Sequence, residues 1–212
     1  MNGAPARLAA TAAAYDAVAV RYADLFRDEL GRLPLDRAVL AAFADLVRGA
    51  GGGPVADLGC GPGRITARLR ALGLDAFGAD VSPAMIGVAR GEHPGLRFDV
   101  GSTDALAVAD GGLAGIVCWY SVIHAAPEDM PGYFAEFSRA LAPGGHLLLG
   151  FFESGGGPVA ALRHTVAPAF RWPVDDLAAR ARAATFAEVG RLLREPRDQE
   201  RFRRGHLLLR RE

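Results

Sequence analysis

The sequence predicts an α/β fold in which helices cover both faces of a doubly wound, mostly parallel sheet. Two observations predict it. Short apolar runs alternate with stretches of helical periodicity along most of the chain. The first run, residues 54–58, leads directly into Gly59-Cys60-Gly61-Pro62-Gly63 and then into a predicted helix. A glycine-rich turn in that position places a ligand at the carboxyl edge of a parallel sheet.

The predicted elements follow the apolar pattern. Strands are predicted at residues 54–58, 75–80, 96–100, 112–119, 146–152, 186–194 and 204–210. Helices are predicted at residues 7–27, 35–48, 64–72, 127–141 and 174–184, and another begins at Ser82-Pro83, where the hydroxyl caps free amides. Residues 153–173 are predicted to be irregular and to lie over the ligand crevice.

Length and composition predict one well-cored domain. With 212 residues, of which 50% are hydrophobic, we expect a helical addition at residues 1–50 and one compact unit at residues 51–212. The net charge is zero, and the basic residues, all arginine, alternate with acids, so no footprint for nucleic acid is predicted. No run resembles a membrane span or a signal peptide, which predicts a cytoplasmic protein.

The spacing of the glycines distinguishes between nucleotide-like ligands. A dinucleotide-binding turn needs a third glycine where this chain has Arg64. Asp57, before the turn, suits a ligand with a cationic ammonium group better than one with phosphates. The segment Asp57-Leu58-Gly59-Cys60-Gly61-Pro62-Gly63 closely resembles the first motif of the class I S-adenosylmethionine-dependent methyltransferases.

The resemblance implies a fold and a reaction. The fold is a Rossmann-like sheet of seven strands with an antiparallel last strand, and the cofactor is S-adenosyl-L-methionine. This cofactor is already an activated electrophile, so the protein mainly aligns the acceptor for direct in-line methyl transfer. No metal site is predicted, because no metal-ligand spacing is present.

Several cofactor contacts follow from position and resemblance. Asp80 ends the second predicted strand, where a carboxylate can accept hydrogen bonds from both ribose hydroxyls. Val81 and Met85 are candidates for an apolar wall beside the adenine, or for ordinary core packing. Ser102 stands where the family usually has an acid that meets the adenine amino group, and Thr103 follows it. The residue that recognises the adenine is therefore left open.

Aromatic residues are the remaining candidates. Tyr15 and Tyr22 match a family segment that folds over the cofactor as a lid, although both could be core aromatics. Trp119, at the end of the fourth predicted strand, could face the cationic sulfonium or pack in the core. His124, just beyond that strand, is a candidate base or acceptor contact, and otherwise a hydrogen-bonded wall residue. The predicted cofactor-binding set is Tyr15, Tyr22, Asp57, Gly59, Gly61, Gly63, Asp80, Val81, Met85, Ser102, Thr103 and Trp119.

A small-molecule acceptor is predicted, because the fourth strand lacks the Asn/Asp-Pro-Pro-Tyr/Phe stretch of many enzymes that methylate DNA bases or protein amides. We expect a monomer or homodimer that binds neither nucleic acid nor membrane. A non-catalytic S-adenosylmethionine-binding sensor or partner subunit is the alternative. A nicotinamide-dependent oxidoreductase is disfavoured by Arg64.

Overall fold

The computed structural model describes residues 3–197 and 200–212. Its strands are β1 (Pro54–Leu58), β2 (Asp75–Asp80), β3 (Phe98–Val100), β4 (Leu113–Trp119), β5 (Leu141–Phe152), β6 (Ala160–Leu162), β7 (Ala169–Arg171), β8 (Phe186–Arg194) and β9 (Arg204–Arg211). Its α-helices are α1 (Ala4–Asp16), α2 (Ala19–Phe26), α3 (Pro34–Gly49), α4 (Arg64–Ala71), α5 (Pro83–Glu92), α6 (Met130–Ala140) and α7 (Val174–Ala183). Short 3-10 helices lie at Leu30–Arg32 and Val122–His124.

The main sheet has seven strands in the order β3-β2-β1-β4-β5-β9-β8. Strands β3, β2, β1, β4 and β5 are parallel to one another, whereas β9 is antiparallel to both β5 and β8. The predicted fold class is therefore confirmed, including the antiparallel last strand. The strand order reverses between β1 and β4, and open sheets of this kind bind ligands beyond the carboxyl ends of the strands at such a point.

The central strands are buried on both faces. Val55 of β1 packs with Leu40 and Phe43 of α3, whereas its neighbour Ala56 belongs to the cluster formed with α6 and α7 on the opposite face. Because successive side chains point to opposite faces, each central strand needs apolar residues at both alternating positions. This is why the runs read as continuously apolar in the sequence.

The predicted helix at residues 7–27 is wrong as one element, because it is broken into α1 and α2. At the break, Val18 has φ −123° and ψ 3°, outside the helical region. Asp16 ends α1 and accepts hydrogen bonds from Ser82 Oγ (2.5 Å) and the Ala84 amide (2.9 Å) at the start of α5. A tertiary contact thus fixes the point where α1 ends.

Residues 153–173, predicted to be irregular, contain the hairpin of β6 and β7, in which Ala160 pairs with Arg171. Each of these strands has three residues, which is too short to show an alternating pattern in the sequence. Strand β5 also starts five residues earlier than predicted. Among the described residues, no helix combines the length and the apolar character needed to cross a membrane.

Candidate active site

The glycine-rich turn after β1 has a left-handed backbone. Gly59, Gly61 and Gly63 have φ angles of 69°, 53° and 84°, which residues with a side chain rarely adopt. The Gly59 amide donates to the Ala79 carbonyl at the end of β2 (2.8 Å). A Cβ atom at Gly59 would lie 2.3 Å from the Cβ atom of Ser121, so this position has no room for a side chain.

Replacing Gly59 with alanine is therefore expected to lower the free energy of unfolding and to abolish ligand binding at the turn, because both the backbone angle and the Ser121 contact forbid a methyl group. Gly87, in the exposed middle of α5, is the matched control, since a Cβ atom there meets nothing within 4 Å. Gly87→Ala should raise the stability by about 0.5–1 kcal/mol. Chemical denaturation measures the stability of both variants. An unchanged stability for Gly59→Ala would contradict the requirement for glycine at this position.

Asp80 lies at the carboxyl end of β2 and is only 8% exposed. One carboxylate oxygen accepts from the Gly61 amide (2.8 Å) and the other from the Ser82 amide (2.9 Å). Burial raises the pKa of Asp80, against the lowering effect of these two amides. Since a carboxylate oxygen has more than one lone pair, both oxygens can still accept from a ligand hydroxyl.

Tyr15 of α1 reaches across the site to His124. The Tyr15 hydroxyl and His124 Nε2 are 2.8 Å apart, and His124 Nδ1 is 2.7 Å from the Pro168 carbonyl oxygen. A carbonyl can only accept, so Nδ1 carries the proton and Nε2 accepts from the tyrosine. Burial lowers the pKa of His124 to about 4, although the bond to Pro168 opposes this, so the ring is neutral near pH 7.

Helices α1 and α2 are held in place mainly by polar contacts. None of the described side chains of α1 is fully buried. Asp16 caps the start of α5 as described above, and Arg7 Nε donates to Asp129 (3.1 Å). Farther along, Glu29 pairs with Arg64 of α4 (2.9 Å). Helices α1 and α2 therefore lie over the glycine turn and Asp80, whereas α3 is anchored in the core by Leu40 and Phe43.

Three connected cavities run outward from the glycine turn. An inner cavity of about 80 Å³ shares Tyr15, Tyr22, Trp119 and Tyr120 with a middle cavity of about 150 Å³. The middle cavity in turn adjoins an outer cleft of about 770 Å³. The residues common to these last two are Phe26, Glu29, Leu33, Phe152, His164, Glu200 and Arg204.

Most of the predicted site residues line the inner cavity. Those that do are Tyr15, Tyr22, Gly59, Gly61, Asp80, Val81, Met85, Thr103, Trp119 and His124. They come from α1, α2, the β1 and β2 ends, α5 and the β4 end, so the fold brings together segments that are far apart in the sequence.

Three predicted cofactor residues lie outside the cavity lining. Asp57 is fully buried beneath the turn and accepts a 2.6 Å hydrogen bond from Thr66 Oγ1. Gly63 stands at the start of α4, where a Cβ atom would lie 2.6 Å from the Phe98 ring. The Ser102 hydroxyl donates to Asp104, two residues along the chain.

The inner cavity is also lined by five residues outside the predicted set: Leu8, Thr11, Tyr120, Ser121 and Tyr133. For two of them a signal existed, because Leu8, Thr11 and Tyr15 are spaced to share one face of a helix. Ser121 and Tyr133 carry no such signal, because the packing of β4 and α6 around the turn brings them in.

Comparison with known proteins points to the part of the chain that contains the glycine turn and Asp80. Residues 55–145 match the model of a methyltransferase domain family. Malonyl-(acyl-carrier protein) O-methyltransferase of Erwinia billingiae is 28% identical over 128 residues, which are 60% of this chain and 49% of that protein. The chain thus spans about half the length of the curated relative that it matches.

Two solved structures show how widely the fold is used. The 1,6-didemethyltoxoflavin-N1-methyltransferase of Burkholderia thailandensis, solved with its namesake ligand and S-adenosylhomocysteine, has a TM-score of 0.76 and 24% identity, covering 99% of this chain and 91% of that one. The (4+2)-cyclase SpnF has a TM-score of 0.62 and 19% identity, covering 81% and 80%. At these identities the likeness shows the fold alone.

The domain match agrees with the family that the glycine motif predicted, and the sheet order confirms its fold. Residues 55–145 thus resemble a methyltransferase domain, and the chain has the fold of the class I S-adenosylmethionine-dependent methyltransferases.

Proposed function

We propose that this protein transfers a methyl group from S-adenosyl-L-methionine directly to a small-molecule acceptor. The observation that carries the proposal is the meeting of two features at one cavity within a methyltransferase domain. The bare backbone of Gly59 and Gly61 and the carboxylate of Asp80 lie at the carboxyl ends of adjacent parallel strands. The first suits the amino-acid part of the cofactor, and the second suits its ribose.

The residues of the inner cavity fit this cofactor in their chemistry. Asp80 can accept from both hydroxyls of a vicinal diol, and Val81 and Met85 provide apolar surface beside it. Thr103 offers a hydroxyl at the same cavity, whereas that of Ser102 is engaged by Asp104. Asp57 Oδ1 is buried and accepts no hydrogen bond from any described residue. Because Asp57 lies beneath the turn and outside the cavity lining, this oxygen suits a buried water rather than a direct contact with the ligand.

The size of the inner cavity supports a lid role for helices α1 and α2 within residues 1–50, whereas α3 packs in the core. Sites for ligands of this size measure roughly 300–1,000 Å³, well above the inner cavity of about 80 Å³. We therefore expect part of the cavity wall to move when the cofactor binds. Helices α1 and α2 are the candidates, because they contribute Leu8, Thr11, Tyr15 and Tyr22 to the wall and polar contacts hold α1 in place.

The bound cofactor supplies a methyl group on a cationic sulfonium, and the protein supplies alignment and a dry environment. Tyr15, Tyr22, Trp119 and Tyr120 line both the inner and the middle cavities, and their rings can attract a cation. Holding two reactants in line can contribute roughly 7–11 kcal/mol in favourable cases. We place the acceptor in the middle cavity, which is reached from the outer cleft.

His124 is proposed as a positioning residue for Tyr15 rather than as a general base. Its Nε2 lone pair is engaged by the Tyr15 hydroxyl, and a pKa of about 4 makes the ring a weak base near pH 7. The hydrogen-bonded wall residue that the sequence left as an alternative is the role that the geometry favours.

His124→Gln is expected to lower kcat/KM by about tenfold or less, which is the cost of one neutral hydrogen bond. Because the ring is neutral above about pH 5, the rate should show no inflection near pH 6.5 that this substitution removes. Tyr15→Phe should have a similar effect, and the two effects should not add. A loss of roughly 100-fold or more together with a changed pH profile would instead identify His124 as the base.

The function is tested by binding and then by transfer. Calorimetric titration with S-adenosylhomocysteine and with NAD should show binding of the first only; binding of NAD alone would favour an oxidoreductase. Transfer of a labelled methyl group is then measured on a panel of phenols, acids and amines. Cofactor binding with no transfer to any of them would favour the non-catalytic sensor or partner subunit. The cytoplasmic location and the state as a monomer or homodimer remain predictions.

A further inference from the structure

The outer cleft is strongly positive in a chain whose net charge is zero. Five arginines line it against two glutamates: Arg32, Arg163, Arg197, Arg201 and Arg204 against Glu29 and Glu200. They come from three separate segments, namely the 3-10 helix before α3, the loop after β6, and the connection between β8 and β9 together with the first residue of β9. Clefts lined by one sign of charge concentrate the field and attract ions of the opposite sign.

Both glutamates of the cleft are already neutralised by arginines outside it. Glu29 pairs with Arg64 (2.9 Å), and Glu200 makes a two-pronged pair with Arg194 (2.6 and 2.9 Å). Arg204 also approaches Glu200, at 3.6 Å. Each carboxylate of the cleft is thus already paired with an arginine outside it.

Four of the five arginines have no ion-pair partner within residues 3–197 and 200–212: Arg32, Arg163, Arg197 and Arg201. Arg197 donates to the Arg32 carbonyl, which ties two walls of the cleft together. Arg163, which is exposed, makes no hydrogen bond to a described residue. Guanidinium groups bind carboxylates and phosphates in a two-pronged geometry, so these side chains suit an anion.

The cleft also has an aromatic floor, on which the planar guanidinium of Arg204 stacks, on the side that it shares with the middle cavity. The guanidinium of Arg204 lies 4.4 Å from the centre of the Phe152 ring and 5.1 Å from that of Tyr120. Phe152 and Arg204 line both the outer cleft and the middle cavity, and Phe26 does so from the opposite wall. A planar apolar group can pack on this floor while an attached acid faces the arginines.

We infer that the acceptor is a small molecule with a planar apolar body and an acidic group, a carboxylate or a phosphate, held by Arg163 and Arg32 at the mouth of the outer cleft. The inference rests on the proposed function, because it assigns the cleft to the acceptor. The acidic group binds in the cleft, and the apolar body lies along Phe152 toward the middle cavity.

The experiment uses simple probes on the full chain with saturating S-adenosylhomocysteine. Phenyl phosphate, benzoate and the neutral benzamide are titrated and followed by NMR. We expect at least one of the two anions to bind about tenfold more tightly than benzamide, as a charge-assisted hydrogen bond requires. Comparison of the two anions distinguishes a phosphate from a carboxylate acceptor. Added salt should weaken the binding of the anion and leave the binding of benzamide unaffected.

We expect Arg163→Gln, alone or combined with Arg32→Gln, to weaken the binding of the anion by about threefold to tenfold or more. Each substitution removes a charge-assisted contact. Arg182→Gln is the matched control, because Arg182 is an exposed arginine of α7 outside the cleft. All variants should bind S-adenosylhomocysteine as the wild type does. Equal binding of benzamide and the anions, or equal losses in the cleft variants and the control, would overturn the inference. If the wild type does not bind S-adenosylhomocysteine, the proposed function itself fails.

Discussion

Asp80→Asn is expected to weaken the binding of S-adenosylhomocysteine by about 100-fold, because the carboxylate is proposed to accept from both ribose hydroxyls. Hydrogen bonds to a charged group contribute roughly 1.5–3 kcal/mol, and about 1.4 kcal/mol changes an affinity tenfold. The amide keeps the shape of the side chain but loses the charge and one acceptor oxygen. Calorimetric titration of the purified variant measures the change.

Asp99→Asn serves as the control for this prediction. Asp99 lies on β3, next to β2, and its carboxylate is partly exposed and pairs with Arg97 (2.7 Å). Its replacement should leave the affinity for S-adenosylhomocysteine within about twofold, since exposed ion pairs contribute little. Similar affinities for the Asp80 variant and the wild type, with both folded, would remove the ribose assignment and with it the main support for the cofactor site.

Arg194→Met is expected to lower the free energy of unfolding by about 3–5 kcal/mol, because it leaves a buried carboxylate without its partner. Arg194 is 7% exposed and donates to Asp36 (3.0 Å), which is 1% exposed. Arg194 also pairs with Glu200. Burial raises the pKa of Glu200, but the pair with Arg194 helps to lower it overall, to about 2. The substitution therefore removes the link between α3 and the end of β8. Urea denaturation near pH 8 measures the loss.

Arg191→Met is the control on the same strand. Arg191 pairs with Glu188 (2.5 Å) and Asp175 (2.6 Å) at the surface, so its loss should cost less than about 1 kcal/mol. Adding Asp36→Leu to Arg194→Met should restore part of the stability, because it removes the uncompensated charge. Equal losses for the two single variants would show that the buried pair has no special role.

The parts of the site that the sequence predicted are those defined within one strand and the turn that follows it. The glycines after β1 are required by the local backbone, and Asp80 is placed by the end of β2. In a parallel sheet the carboxyl ends of neighbouring strands meet at one edge, so the two features were expected to converge. The inner cavity contains both of them.

The face to which each side chain points could not be predicted from the sequence in this way. Asp57 and Asp80 both belong to strands that end at the glycine turn, yet Asp57 is directed to Thr66 beneath the turn, while Asp80 faces the cavity. Successive positions of a strand point to opposite faces, and only the packing of α4 decides which face is covered. The same limit applies to Ser102, whose hydroxyl is engaged by a neighbour in the chain.

The sequence by itself determined the strands of the main sheet, the glycine turn and the carboxylate that ends β2, because each depends on residues close together in the chain. The tertiary structure alone decided the contact of Tyr15 with His124, 109 residues apart, and the gathering of five arginines from three segments around one cleft. Such contacts leave no periodic pattern, since they arise only when chain segments pack together.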